Sequence, residues 1–161
     1  MKFDVRSAPI VQWRWRIASL IDGADNRVAS KEDSPVRIVL AFDGDKSKLT
    51  LGERTSSLVA KRVTGRDLPY AELMYIWSNR VAVGTLIANP HTNRIKMVVA
   101  STGSAGVGAW QTLSRNVVDD FRRAFDEEPG LLTDVGVLTD TDNTGATVDA
   151  WYGDIRFQSA P

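Results

Sequence analysis

The chain predicts a mainly β protein, a jelly-roll-like β-sandwich carrying one or two inserted helices. Three observations lead there. Val11, Trp13, Trp15 and Ile17 alternate with Gln12, Arg14 and Arg16, which is the period of a strand with one buried face. Further short apolar runs follow at fairly even spacing, separated by turn residues. Helical periods do not alternate regularly with these runs, as a doubly wound parallel sheet would require.

Residues 10–18 form the first expected strand. The polar stretch from Ser19 to Pro35, with Gly23, Asp25 and Asn26, reads as a loop. Val36 to Phe42 is a near-continuous apolar run and predicts a strand buried on both faces, ended by Asp43-Gly44-Asp45. Glu53 to Val63 predicts a helix with Gly65 as its C-cap. Tyr70 to Trp77, Val81 to Ala88 and Arg94 to Ser101 predict three strands, divided by turns at Ser78-Asn79-Arg80 and Asn89 to Asn93. Thr102 to Gly108 is a glycine-rich loop. Leu113, Val117, Phe121 and Phe125 recur every four residues, so 112–125 predicts an amphipathic helix, stopped by Pro129-Gly130. The block from Leu131 to Phe157 reads as strand, acidic turn, strand, closing as a hairpin.

One domain spanning residues 1–161 is expected from the length, which allows a real core without covalent staples. Lys plus Arg number 20 and Asp plus Glu number 20, a formal net charge of zero. That balance argues against a broad nucleic-acid footprint. No run approaches the ~20 apolar residues of a membrane-spanning helix, and the first residues show no apolar signal core. Cysteine is absent, which excludes disulfides, thiolate nucleophiles and Cys-ligated zinc. His91 is the only histidine. No G-x-S-x-G motif accompanies it, and one His cannot build a zinc site. Gly103 to Gly108 lacks the Gly-Lys-Ser/Thr ending of a phosphate loop. A carboxylate pair for glycoside hydrolysis can be drawn almost anywhere among 20 acids, so that signal has no specificity.

Three constellations remain. Asp140-x-Asp142-x-Thr144-Gly145 follows the start of a calcium loop, with oxygens at alternate positions and a glycine for the turn. Trp151 stands where the bidentate Glu should be, so this is not an EF-hand. An irregular calcium site would recruit Asp154 or Asp149; the plainer reading is a good turn. Arg14 and Arg16 share the face opposite Trp13 and Trp15. The tryptophans read as core, and the arginines either as solvated surface or as a guanidinium pair for carboxylate or phosphate. Trp151 and Tyr152 are adjacent, so one points inward and one outward. An outward ring beside Asp149 or Asp154 would suit a sugar. Trp110, after the glycine loop, either caps a pocket or docks the helix.

Several segments resemble one bacterial family, named domain of unknown function 3047. They are Gln12 to Ile17, Asp33 to Gly44, Leu73 to Trp77, Arg115 to Val117 with Asp120 to Phe125, and Thr139 to Gly145 with Ala150 to Phe157. The resemblance runs in order through nearly the whole chain. It implies that the closing Trp151-Tyr152-Gly153-Asp154-Ile155-Arg156-Phe157 strand is similar to the last strand of galactose-binding-like jelly rolls. In some of those the acid matching Asp154 helps hold a structural calcium. The resemblance also implies an exported, periplasmic or envelope setting. Further N-terminal strands are expected in the family, whereas eleven residues precede Gln12 here. The chain is then a shortened version, or a partner or second copy covers an exposed sheet edge.

The expected function is a non-catalytic envelope module for a carbohydrate or similar polar ligand. Trp151, Tyr152, Arg14, Arg16 and Asp149 are its binding residues, and Asp140, Asp142 and Asp154 its calcium ligands. A carboxylate-dependent enzyme acting on polysaccharide and a structural or assembly protein, homo-oligomeric through that edge, are the alternatives.

Overall fold

Two packed sheets make a mainly β sandwich, seen in a computed structural model that describes residues 2–55, 62, 67–90 and 92–160. The strands are β1 (Ile10–Ile17), β2 (Ser34–Phe42), β3 (Ala71–Ser78), β4 (Leu86–Ala88), β5 (Ile95–Thr102), β6 (Gln111–Asn116), β7 (Leu132–Asp140) and β8 (Ala150–Gln158), and α1 (Val117–Phe125) lies between β6 and β7. One sheet runs β6-β1-β8 and the other β4-β5-β3-β2-β7. Pairing is antiparallel except between β3 and β5.

Alternation decides what each strand buries. Val11, Trp13, Trp15 and Ile17 all point from β1 into the space between the sheets and are fully buried. There they meet Ile38, Leu40 and Phe42 of β2 and Leu73, Tyr75 and Trp77 of β3. Trp13 stacks on Tyr75 with centroids 4.9 Å apart, and Trp15 meets Trp13 edge-on at 5.3 Å, geometries that aromatic quadrupoles favour. The other face of β3 and β5 carries a second apolar cluster of Met74, Ile76, Met97 and Val99, joined by Val81 and Ile87. β2 lies between β3 and β7 and is buried almost throughout, as its unbroken apolar run predicts.

Three expectations change. The 112–125 segment is not one helix. Residues 111–116 form β6, with Gln111, Leu113 and Arg115 opposite Trp15, Trp13 and Val11. The four-residue recurrence through Leu113 is also compatible with alternation up to Asn116, and pairing with β1 settles the stretch as strand. Asn116 then caps α1, its Oδ1 accepting from the Val118 and Asp119 amides. The Val81 to Ala88 strand shrinks to β4. Because β3 and β5 run parallel, the chain must return across the sheet between them, and it does so through turns at 79–85, with Gly84 at φ +83°. The closing strands are not a hairpin: β7 pairs with β2 and β8 with β1, and residues 141–149 cross between the sheets. The predicted helix from Glu53 begins as helical residues 51–55; its remainder, apart from Arg62, and His91 lie outside the described residues. Among the described residues no helix is long and apolar enough to cross a membrane.

Candidate functional site

The outer face of the three-stranded sheet is built by the same alternation that fills the core. With Trp13 and Trp15 turned inward, Arg14 and Arg16 must turn outward. Arg16 lies opposite Trp151 of β8, and Arg14 opposite Gly153. Tyr152, between them in sequence, therefore faces inward opposite Trp15.

Next to Gly153 the register slips, and two strand residues of β8 are accommodated between Arg14 and Gln12. Asp154 sits in this bulge at φ +46°, a left-handed conformation that Asp tolerates better than most residues. A bulge re-aims its side chain. Here it brings the Asp154 carboxylate to 2.7 Å from Arg14 Nη2, with Arg156 Nη2 at 3.9 Å from the same oxygen.

Each outward arginine of β1 lies over a tryptophan. The Arg14 guanidinium is 5.2 Å from the Trp110 ring centroid, and that of Arg16 is 4.6 Å from Trp151. Trp110 and Trp151 are 45% and 40% exposed, whereas Trp13, Trp15 and Trp77 are fully buried. Two of the five tryptophans therefore stand on one solvent face, each carrying a cation on its ring. Such stacking holds a guanidinium in place and leaves its edge nitrogens for a planar anion. Among the described residues Arg16 has no carboxylate partner, and its Nε is buried without an acceptor.

The acidic turn forms a separate centre. Asp140 and Asp142 meet Asp33, their nearest oxygens within 4.8 Å of one another. Asp154, expected to share a cation with them, is instead bridged to Arg14, and Asp149 is an exposed residue whose carbonyl accepts from the Ala18 amide. Asp33 is buried and anchors the crossing loop: it accepts from the Asn143 amide at 3.2 Å, the Thr144 amide at 2.7 Å and the Thr144 hydroxyl at 2.6 Å. Arg37, 2% exposed, donates to Asp140 at 2.9 Å and to the Glu32 carbonyl at 2.8 Å. Burial raises the Asp140 pKa; Arg37 opposes that rise and Asp142 adds to it. These three acids could hold a hard cation, but the loop amides and Arg37 already compensate two of them.

Tyr152 serves this second centre. Its hydroxyl donates to the Leu138 carbonyl at 2.7 Å, accepts from the Arg37 amide at 3.3 Å and lies 3.0 Å from Thr139 Oγ1. The tyrosine ties β8 to β2 and β7 and is only partly exposed. Asp33 and Arg37 escaped the sequence reading. Asp33 meets its loop across 110 positions of chain, which no local pattern encodes. Arg37 did carry a signal, as the charge within an otherwise apolar strand that must find an acid.

A largely apolar cleft of about 510 Å³, lined by Phe3, Leu132, Val135 and Phe157 among others, contains none of these residues. Comparison with curated proteins and with solved structures finds no match. One family model matches, Protein of unknown function (DUF3047), over residues 1–156. It covers the core strands, the arginine–tryptophan face and the acidic crossing loop together, and the chain belongs to that family.

Proposed function

We propose that the protein is a non-catalytic module that binds a carbohydrate or similar polar ligand on the outer face of the β6-β1-β8 sheet, in the envelope setting the family resemblance implies. The observation that carries this reading is the pair of half-exposed tryptophans, each stacked on an arginine of β1, on one face of the sheet. Aromatic faces take the apolar face of a sugar ring, and guanidinium groups and Asp154 take its polar substituents. The rigid sheet positions these groups, so little side-chain order has to be gained on binding.

Intrinsic fluorescence tests it. A ligand here touches only Trp110 and Trp151. A saturable shift with an oligosaccharide from a broad panel, together with protection from acrylamide quenching, is the expected result. Trp151→Ala and Trp110→Ala should each remove part of that response. A flat response across the panel overturns the reading.

A second reading, an assembly protein, is favoured by the β7 edge. β7 ends the five-stranded sheet, and its Val135 and Val137 are 43% and 49% exposed.

A further inference from the structure

We infer that the ligand of this face carries a carboxylate, as an acidic sugar unit does, and that Arg16 is the residue that holds it. This deepens the binding-module reading and rests on it. The three guanidinium groups of the face differ in what they already bind. Asp154 takes Arg14 at 2.7 Å and stands 3.9 Å from Arg156. Arg16 has no carboxylate partner among the described residues, although exposed Asp149 lies beside the next strand position. Its plane is nonetheless fixed by Trp151 at 4.6 Å, and its Nε is enclosed without an acceptor.

A part-buried guanidinium stacked on a ring and without a carboxylate of its own among the described residues is a prepared anion site. The cost of ordering a long side chain has already been met, so a charge-assisted bond formed there is retained as affinity. The neighbouring position along β1 shows which anion fits. There a carboxylate, that of Asp154, sits against a tryptophan-stacked arginine. Arg16 lies about 7 Å further along the same strand face, two strand residues away, and repeats that arrangement without the internal acid. A ligand carboxylate would complete it, with its ring against Trp151.

Single-stranded nucleic acid also combines rings with anions. Asp154 and Asp149 on the same face, and a chain of zero net charge, oppose the dense phosphate charge of that ligand.

The test compares an oligogalacturonate with its fully methyl-esterified form, titrated into the full chain and followed by tryptophan fluorescence and calorimetry. The ester keeps the sugar rings and loses the charge. The acid form is expected to bind at least about tenfold more tightly than the ester, a difference of about 1.4 kcal/mol. Arg16→Gln should abolish that difference, bringing the acid's affinity to that of the ester in the same variant, and Arg16→Lys, which keeps charge without the planar fork, should restore part of it. Equal binding of acid and ester, or an unchanged ratio in Arg16→Gln, overturns the assignment while leaving the binding module intact. Binding of neither form, nor of any other saccharide, overturns both. Tighter binding of dextran sulfate, inorganic phosphate or a single-stranded oligonucleotide than of the oligogalacturonate overturns the choice of carboxylate.

Discussion

Asp120 shows how a single charge can organise the sandwich. It is buried, and three donors converge on it: Arg115 at 2.5 and 2.8 Å, Arg123 at 3.2 Å and the Tyr75 hydroxyl at 3.1 Å. The carboxylate thereby ties β6, α1 and β3 together at one point. Asp120→Ala leaves the part-exposed Arg115 and the buried Tyr75 hydroxyl without their acceptor and is expected to cost about 2–3 kcal/mol in denaturant unfolding. Tyr75→Phe removes only one of the donors and is expected to cost about 1 kcal/mol. A reversed order would mean that ring packing on Trp13, rather than the ionic centre, dominates. Glu72 is the opposite case. Burial raises its pKa above the usual carboxylate value and no other cause opposes the rise. The folded state therefore disfavours its ionised form, so the native protein loses stability as pH rises through that carboxyl's titration. Glu72→Gln lacks the penalty. It is expected to melt higher than the native chain at pH 7 and at the same temperature well below pH ~4, where both side chains are neutral. The core tryptophans were legible from alternation alone, because period 2 places Trp13 and Trp15 with Val11 and Ile17. The ionic partners were not, since Tyr75 and Asp120 are 45 positions apart.

At the scale of elements, the crossing loop decides how the two sheets close. Asp33, at the mouth of β2, holds the Asn143 and Thr144 amides, while Arg37 inside β2 holds Asp140 at the end of β7. The acidic turn is thus fastened at both ends by groups of the neighbouring strand. Its composition predicted either a turn or an ion site, and those alternatives separate on one measurement. If Arg37 and the loop amides supply the compensation, excess chelator should move the melting temperature by less than roughly 3 °C, the equivalent of about 1 kcal/mol in a chain of this size. A larger fall, reversed by calcium, would mean that Asp33, Asp140 and Asp142 carry a cation. The same loop explains why the closing strands read as a hairpin. Each has a sound local pattern, but nothing within residues 131–158 records that β2 and β1 offer separate edges for them. The β6–α1 boundary is hidden in the sequence for the converse reason. Leu113 satisfies a four-residue recurrence and a two-residue alternation at once, and only its pairing with Trp13 distinguishes them.

Across the whole molecule, the two sheets differ in width, and that mismatch governs the exposed surface. A three-stranded sheet cannot cover the inner face of a five-stranded one. The uncovered part falls at β7, where Val135 and Val137 remain half exposed beside the apolar cleft formed with Phe3 and Phe157. Among the described residues the edge is closed at two points. The Leu132 amide and carbonyl bond to Phe3, and the Leu138 carbonyl accepts from Tyr152. Between them lies Val135-Gly136-Val137, a stretch of apolar edge without the lysine or proline that commonly blocks strand addition. About Gly136 the pattern is nearly symmetric, so an antiparallel second copy would set Val135 against Val137 and place neither Asp134 nor Asp140 opposite its own kind. If this edge assembles, the mass measured by light scattering rises with concentration, and Val137→Lys returns it to that of one chain without lowering the melting temperature, since the residue is already half in solvent. A mass of one chain at every concentration would show that the short open stretch and its two capped ends suffice to keep the edge unpaired. In either case the arginine–tryptophan face, on the outer side of the other sheet, should bind its ligand unchanged in the Val137→Lys protein.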